Sequence, residues 1–318
     1  MMPLMDFPAL YRNVMLTTAD APFVRKVLTR YGWRLGVGRF VAGKDLEDAL
    51  PALRKIEESG RSIVLDVLGE FVTSEAEARA TAERIGAAVK AAAAAGTSRY
   101  FSVKPTQLGL GVSSELAYEL ASGLAATLFD VGGDLCLDME NVPYLDRTLD
   151  LYERLRRDGH HHVSTVLQSY LHRTPGDLER IIALAAEEDQ GPTEVRMVKG
   201  AYREKPEVAY QDRPRIEEAY RELSYRALEA GVKLNLGTHD EALLRELLAY
   251  VRGSGANPEK YEVQMLYGVR NGLQEQLAAA GHPMRVYVPF GDDWYGYYSR
   301  RIAERPSNLA FVLRGLVG

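Results

Sequence analysis

Eight short runs of apolar, β-branched and aromatic residues recur along this chain, and a longer segment of helical character follows each one. The runs have the length of buried strands, and successive runs start roughly 25–40 residues apart, which is the size of one βα unit. Eight such units in succession favour a (β/α)8 barrel over an open Rossmann sheet, which has about six strands and a GxGxxG fingerprint that the first run lacks. The runs are SIVLDVL (62–68), RYFSVK (99–104), DLCLDM (134–139), VSTVLQS (163–169), EVRMVKG (194–200), KLNLGT (233–238), YEVQML (261–266) and MRVYVP (284–289).

The region before the first run is predicted to be helical over 20–31 and 44–58, with a stop at Gly60. No linker rich in Pro, Gly or Ser separates it from the repeating units. We therefore predict a helical N-terminal extension, residues 1–60, followed by a catalytic (β/α)8 barrel, residues 61–318.

Composition excludes several classes of protein. The 318 residues are 46% hydrophobic and carry a net charge of −5, so a large core is expected and binding to nucleic acid is not. The single cysteine, Cys136, rules out an intrachain disulfide and a cysteine-based zinc site, and it fits a reducing compartment. Three consecutive histidines, His160, His161 and His162, cannot readily converge on one ion, so no metal is expected.

The first residues, MMPLMDFPALYRN, lack the basic flank and long apolar run of a signal peptide. No stretch of about 18 apolar residues occurs that could form a transmembrane helix. We therefore expect a cytoplasmic protein with at most a peripheral contact to the inner face of the cell membrane.

Charged and polar residues interrupt strands that are otherwise apolar. Lys104, Asp138, Arg196 and Gln264 occupy such positions, and burying these groups without partners would be costly. In (β/α)8 barrels the active site lies at the carboxyl ends of the strands. These four residues therefore indicate an active site at that end of the barrel.

The last helical segment, DDWYGYYSRRIAER, carries a second polar group. Tyr297, Arg300, Arg301 and Glu304 are spaced i, i+3, i+4 and i+7, so they share one helix face. Two adjacent arginines beside tyrosines suit the recognition of a carboxylate through forked, charge-assisted hydrogen bonds. The alternative is a solvated helix that holds an Arg300–Glu304 ion pair.

With these motifs, the sequence resembles the flavin-dependent proline dehydrogenases, in a stand-alone form. The resemblance covers about residues 62–308, and VRMVKGAY and YYSRR are its most specific parts. It implies a distorted (β/α)8 TIM-like barrel with FAD at the strand ends and the last helix packed over the barrel mouth. The matching stretches, in the order of the family, are LGE (68–70), FSVK (101–104), LDMEN (137–141), VLQSYLHRTP (166–175), VRMVKGAY (195–202), THD (238–240), YEVQMLYG (261–268), RVYVPFG (285–291) and YYSRR (297–301).

The resemblance also implies a reaction and a substrate site. L-proline is oxidised to Δ1-pyrroline-5-carboxylate by hydride transfer from C5 to flavin N5, as the first step of proline breakdown to glutamate. The electrons then pass to a membrane quinone. A tyrosine at position 287 goes with proline rather than hydroxyproline in this family. The implied substrate residues are Lys104, Arg300 and Arg301 around the carboxylate, Tyr287, Tyr297 and Leu266 around the ring, Asp138 as a hydrogen-bonding support for Tyr287, and Glu70 as a gate that pairs with Arg300.

The same resemblance implies a set of residues around non-covalently bound FAD. Arg196 would donate a hydrogen bond to flavin N5, where a positive group stabilises the reduced cofactor. Gly200 would let the backbone come close to the cofactor. The full set of implied cofactor residues is Gln168, Arg196, Val198, Lys199, Gly200, Ala201, Tyr202, Thr238, His239 and Glu304.

Two other functions stay open from the residues alone. Lys104 or Lys199 could form a Schiff base in a barrel lyase or aldolase. A non-catalytic protein could also retain the barrel as a binding scaffold. A purified protein that is yellow would count against the lyase, and turnover would exclude the scaffold.

Overall fold

Eight parallel strands close into a barrel in the order in which they follow along the chain. A computed structural model describes residues 22–69, 72–187, 193–253 and 258–304. Each strand coincides with one predicted run to within two residues at either end, so the predicted barrel is confirmed. The strands are β1 (Ser62–Val67), β2 (Tyr100–Val103), β3 (Asp134–Leu137), β4 (Val163–Gln168), β5 (Glu194–Val198), β6 (Lys233–Gly237), β7 (Tyr261–Leu266) and β8 (Met284–Phe290).

A helix follows every strand, and within the described residues 22–61 two helices precede β1. Short 3₁₀ turns lie at Val37–Arg39, Pro105–Leu108, Val142–Tyr144 and Pro258–Lys260. The helices are α1 (Pro22–Tyr31), α2 (Leu46–Glu58), α3 (Glu75–Ala94), α4 (Ser114–Asp130), α5 (Leu145–Arg157), α6 (Thr174–Ala185), α7 (Arg213–Glu229), α8 (Glu241–Gly253), α9 (Asn271–Ala279) and α10 (Tyr295–Glu304).

Side-chain caps explain where several of these helices begin. Asp45, Ser74, Ser113 and Asp212 precede α2, α3, α4 and α7, and each side chain accepts a hydrogen bond from the backbone N–H three residues later. At the other end of α3, Gly96 adopts a φ of +68°, which glycine reaches without strain.

The two faces of the strands differ in character. The residues that face the helices form a continuous apolar core, to which Leu65, Phe101 and Val263 belong. The alternate residues make contacts across the barrel between strands that are not neighbours, as between Tyr100 on β2 and Glu194 on β5. The hydrophobic core therefore surrounds the barrel, and the barrel interior is largely polar.

The last helix is held at the mouth of the barrel by a second apolar cluster. Trp294 and Tyr298 pack there against Leu35, Phe40 and Leu68, and Leu68 directly follows β1. The Tyr298 hydroxyl also donates to the Leu35 carbonyl at 2.7 Å. The segment before β1 thus anchors α10 over the carboxyl ends of the strands.

Helix α2, which belongs to the predicted extension, contacts β1 and β8 and so packs on the barrel itself. The predicted domain boundary at residue 60 remains a prediction. None of the helices in the described ranges has both the length and the apolar character needed to cross a bilayer.

Candidate active site

Asp138, directly after β3, accepts hydrogen bonds from side chains on three other strands. Its Oδ1 accepts from Ser102 Oγ at 2.6 Å and from Arg196 Nη1 at 2.8 Å. Its Oδ2 accepts from the Tyr287 hydroxyl at 2.8 Å, so the hydrogen bond expected between these two residues is confirmed. One carboxylate therefore joins β2, β5 and β8 at the mouth of the barrel.

Lys104 lies at the end of β2 and directs its ammonium group toward two carboxylates. Its Nζ is 3.4 Å from Asp66 Oδ2 and 3.7 Å from Asp138 Oδ2. Asp66 is completely buried on β1. Asp66 is not among the residues predicted from the sequence, although the signal that identified the others, a charge within an apolar strand, applies to it equally.

The charges at the mouth determine which groups donate and which accept. Burial raises the pKa of the Asp66 carboxyl, against the opposing effect of Lys104. Burial acts on Asp138 in the same sense, but Arg196 and Lys104 outweigh it and hold its pKa below the ordinary value. Burial, together with the charge of Asp138, keeps the pKa of Tyr287 well above its usual range. Asp138 is therefore an anion, and Tyr287 is a neutral donor.

Arg196, on β5, is held at two of its three guanidinium nitrogens. Its Nε donates to Gln264 Oε1 at 2.5 Å, and its Nη1 donates to Asp138 and, at 3.3 Å, to Ser102 Oγ. The guanidinium carbon lies 5.3 Å from the centroid of the Tyr287 ring. Its Nη2 is buried and makes no hydrogen bond within the described part of the chain. A buried donor of this kind calls for an acceptor.

Gln168, at the end of β4, fixes the loops around it. Its Nε2 donates to the backbone carbonyl of Glu140 at 2.8 Å. The Glu140 carboxylate in turn accepts from the backbone and hydroxyl of Thr106, at 2.9 and 2.7 Å. The loops that follow β2, β3 and β4 are thereby joined into one rim.

Gly200 has a φ of +123°, in the region where a side chain is strained, and a Cβ there would overlap the Tyr170 ring. The close approach that the sequence predicts at this glycine is therefore occupied by an aromatic ring of the protein. Beside it, Lys199 Nζ lies 2.8 Å from Glu217 Oε1 and 2.9 Å from Asp240 Oδ2. The Lys199 ammonium is thus engaged by two carboxylates.

His239 lies at the end of β6, where its Nε2 accepts a hydrogen bond from the backbone N–H of Leu266 at 2.9 Å. An imidazole nitrogen that accepts carries no proton, so the remaining proton of this ring is on Nδ1. Thr238 is buried, and its hydroxyl accepts from the backbone N–H of Asp240 at 3.2 Å. These contacts tie the predicted residues of β6 to the predicted wall residue of β7.

On α10, Arg301 and Tyr297 are buried, and the Arg301 guanidinium carbon lies 5.1 Å from the centroid of the Tyr297 ring. Arg300 is half-buried. The pKa of Tyr202 is raised chiefly by burial and further by the charges of Glu140 and Asp138, whereas the positive charges of Lys104 and Arg300 oppose this rise. Arg300 and Lys104 therefore both lie close enough to Tyr202 to act on it electrostatically.

The structure thus brings Lys104, Asp138, Arg196 and Tyr287 into one bonded cluster at the barrel mouth, and Leu266 pairs with Tyr287 in the sheet. Val198, at the end of β5, is partly buried beside this cluster, and Ala201 is exposed. The predicted gate Glu70 and the side chain of Glu304 lie outside the described residues.

Sequence reasoning also missed a group of charged residues deeper in the barrel. Arg285 Nε donates to Glu262 Oε1 at 2.7 Å. A separate carboxylate, Glu194, accepts from Tyr100 at 2.7 Å and from Asn235 at 2.6 Å. Each of these residues sits in a predicted strand. Glu262 and Arg285 have apolar residues on both sides, so the signal of a charge within an apolar strand applies to them as it does to Asp66.

The proline dehydrogenase family model matches residues 49–314 of the chain. Over 312 residues the chain is 41% identical to the proline dehydrogenase of Deinococcus radiodurans, and this covers 97% of the chain and 98% of the relative. Proline dehydrogenase 2 of Bacillus subtilis strain 168 is 34% identical, with coverage of 96% and 98%.

Among solved structures, the fold matches proline utilization A (PutA) from Bdellovibrio bacteriovorus inactivated by N-propargylglycine. The TM-score is 0.80 at 21% identity, over 92% of this chain. The chain spans about a third of that larger protein, 36% of its length.

Proposed function

Since the chain belongs to the proline dehydrogenase family, we propose that the mouth of its barrel binds L-proline against FAD and oxidises it at C5. The observation that carries this proposal is the buried cluster around Asp138, which fixes Lys104, Arg196 and Tyr287 at the carboxyl ends of the strands. Membership of the family indicates the reaction, and the cluster provides fixed cationic and aromatic side chains that can bind the substrate and the cofactor.

Lys104, Arg300 and Arg301 hold the substrate carboxylate. A carboxylate accepts forked hydrogen bonds from guanidinium groups, and it tolerates desolvation only beside cations. Lys104 already lies between two carboxylates of the protein, so its position is set before substrate arrives. Positioning of this kind lowers the barrier because the reacting atoms meet in one orientation.

Tyr287, Tyr297 and Leu266 form the walls around the proline ring. The Tyr287 hydroxyl is committed to Asp138, so the face of its ring rather than its oxygen is offered to the substrate. Tyr297 is buried on α10, beneath the Arg301 guanidinium. By its resemblance to the family, the tyrosine at position 287 favours proline over hydroxyproline as the substrate.

The residues fit a flavin cofactor in one respect that can be checked. Arg196 Nη2 is a buried cationic donor that makes no hydrogen bond within the described ranges, as expected of a group that serves an acceptor outside the protein. We propose that it faces flavin N5. Gln168, Val198, Gly200, Ala201, Tyr202, Thr238 and His239 line the remainder of the cofactor site, with Lys199 contributing its backbone and Glu304 as a further member.

The balance of the reaction is simple. FAD supplies the hydride acceptor. Proline gives up the C5 hydrogen with its two electrons, the ring nitrogen loses a proton to water, and a C5=N double bond forms in Δ1-pyrroline-5-carboxylate. A membrane quinone takes the two electrons onward, which requires at least a peripheral contact with the membrane. The product leads toward glutamate.

A lysine-based lyase is the alternative that the structure makes less favourable. A Schiff-base lysine needs its uncharged amine. Both Lys104 and Lys199 are ion-paired with two carboxylates each, at distances of 2.8–3.7 Å. The paired ammonium groups suit binding of an anion rather than attack on a carbonyl.

The experiment is an absorbance spectrum of the purified protein before and after anaerobic addition of L-proline. We expect an oxidised-flavin band that bleaches with L-proline. A flavin band that L-proline leaves unchanged would contradict the substrate, and hydroxyproline or another cyclic amine would then be tried. A protein that holds no flavin even after FAD is added would overturn the cofactor assignment, and borohydride trapping would then test the lyase.

A further inference from the structure

A continuous line of hydrogen bonds runs through the barrel interior to Arg196. Arg285 Nε donates to Glu262 Oε1 at 2.7 Å, and Gln264 Nε2 donates to the same oxygen at 2.8 Å. Gln264 Oε1 then accepts from Arg196 Nε at 2.5 Å. Glu262 and Gln264 are two residues apart on β7, so both side chains project into the barrel. The line therefore connects a buried ion pair to the guanidinium at the mouth.

The neighbours of Gln264 leave its amide only one orientation. A carboxylate accepts and cannot donate, so Glu262 requires the NH2 group of the amide on its side. A guanidinium donates and cannot accept, so Arg196 requires the oxygen on the other side. If Glu262 lost its charge and could also donate, both orientations of the Gln264 amide would become possible. One of them would set two donors against each other at Arg196 Nε.

The orientation of the Gln264 amide helps to fix the position of the Arg196 guanidinium. With Nε bound to Gln264 and Nη1 bound to Asp138, the plane of the guanidinium is fixed at two points. The remaining nitrogen, Nη2, is buried and makes no hydrogen bond among the described residues. The direction of its N–H groups therefore depends on the two anchors.

We propose that Glu262 is a positioning residue that aims the Nη2 donor of Arg196 at the flavin, and that it acts through the fixed amide of Gln264. The inference rests on the proposed function, since it takes the flavin to be the acceptor. Arg285, whose Nε donates to Glu262 Oε1 at 2.7 Å, is the counter-ion of Glu262 within the barrel. The donor at the mouth is thus set by an ion pair that touches neither substrate nor cofactor.

A second carboxylate in the barrel provides a matched control. Glu194 accepts from Tyr100, Asn235 and Lys233, at 2.6–2.7 Å. None of these contacts leads to a nitrogen of Arg196. Glu194→Gln therefore removes one interior negative charge, as Glu262→Gln does, without releasing the Gln264 amide.

The experiment compares the midpoint potential and visible spectrum of the bound flavin in the wild type, Glu262→Gln and Glu194→Gln. A misaimed cation stabilises the reduced cofactor less, so Glu262→Gln should lower the potential. The expected change is about tenfold in the equilibrium, or ~30 mV for a two-electron couple. Glu194→Gln should leave the potential unchanged.

An unchanged potential in Glu262→Gln, or equal shifts in the two variants, would overturn the inference. If Glu262→Gln does not fold, Gln264→Met removes the relay directly and should give the same shift; no shift there would overturn the inference too. A wild-type protein without flavin would instead contradict the proposed function, so the two failures are distinguishable.

Discussion

Asp138→Asn should lower the stability of the protein, by an amount that depends on pH. Asparagine has nearly the shape of aspartate, so the change leaves no cavity; it removes the charge and replaces one acceptor oxygen with an NH2 donor. Asp138 lies 2.8 Å from Arg196 Nη1 and 3.7 Å from Lys104 Nζ, and its side chain is 16% exposed. Loss of the charge leaves Arg196 buried without its direct counter-ion.

The magnitude follows from the burial. Removing one partner of a buried ion pair costs about 3–5 kcal/mol. Asp66 stays 3.4 Å from Lys104 and spares that cation, so we expect the lower end, about 3 kcal/mol. In a barrel of this size that loss lowers the melting temperature by roughly 6–12 °C. Scanning calorimetry at pH 7 measures it.

The effect should also depend on pH, with a defined sign. Arg196 and Lys104 hold the pKa of Asp138 below its ordinary value of 3.8, against the opposing effect of burial. The carboxylate therefore stabilises the fold above pH 3.8, and that contribution is lost as the pH falls through the lower, folded-state value. The difference between wild type and Asp138→Asn should be full at pH 7 and shrink below pH 4.

A matched exposed pair provides the control. Glu119 pairs with Arg79 at 2.7 Å on the surface, where the side chains are 58% and 41% exposed. Glu119→Gln should leave the melting temperature nearly unchanged, because solvent screens such a pair. Equal effects of Asp138→Asn and Glu119→Gln would refute the argument from burial, as would a difference that persists undiminished in acid.

Two further predictions concern the glycine at the mouth and the clamp. Gly200→Ala should destabilise the protein by at least about 2 kcal/mol, because Gly200 has a positive φ and a Cβ there would overlap the Tyr170 ring. Gly176→Ala is the control: Gly176 lies in α6 with open space around it, so this change should stabilise the protein by about 0.5–1 kcal/mol. Urea unfolding measures both changes in the free energy of unfolding. Arg301→Met should raise KM for proline about 10–100-fold with flavin still bound, because it removes one cation from the carboxylate site. Arg245→Met, at an exposed position on α8, should leave KM unchanged. An unchanged KM in the steady-state kinetics of Arg301→Met would contradict the proposed role of Arg301 in binding the substrate carboxylate.

The barrel could be predicted from the sequence because its signal is local. Each strand shows itself within a few residues, and the spacing of the units fixes the parallel connection. The same local signal found Lys104, Asp138 and Arg196, since a charge within an apolar run is visible without a partner. Asp66 carried that signal as well and could have been identified.

The strand pattern alone could not predict the partners of these groups, because the partners are far apart in the chain; only the family resemblance paired Asp138 with Tyr287. Tyr287 and Asp138 are separated by 149 residues, and Arg196 and Gln264 by 68. Only closure of the barrel brings such residues together. The contact between the Tyr170 ring and Gly200 likewise depends on packing between separate loops, and no motif in the sequence indicates it.

The most direct test of the central claim asks which carbon of proline is oxidised. The wild-type protein, with its flavin, is mixed anaerobically with L-proline that carries deuterium at C5 or at C2, and bleaching of the flavin band is followed by stopped flow. The account predicts slower bleaching with deuterium at C5 and an unchanged rate with deuterium at C2. Slowing by the C2 label alone would mean that the ring lies in the opposite orientation, and it would contradict the arrangement of carboxylate clamp, tyrosine walls and Arg196 proposed for this barrel.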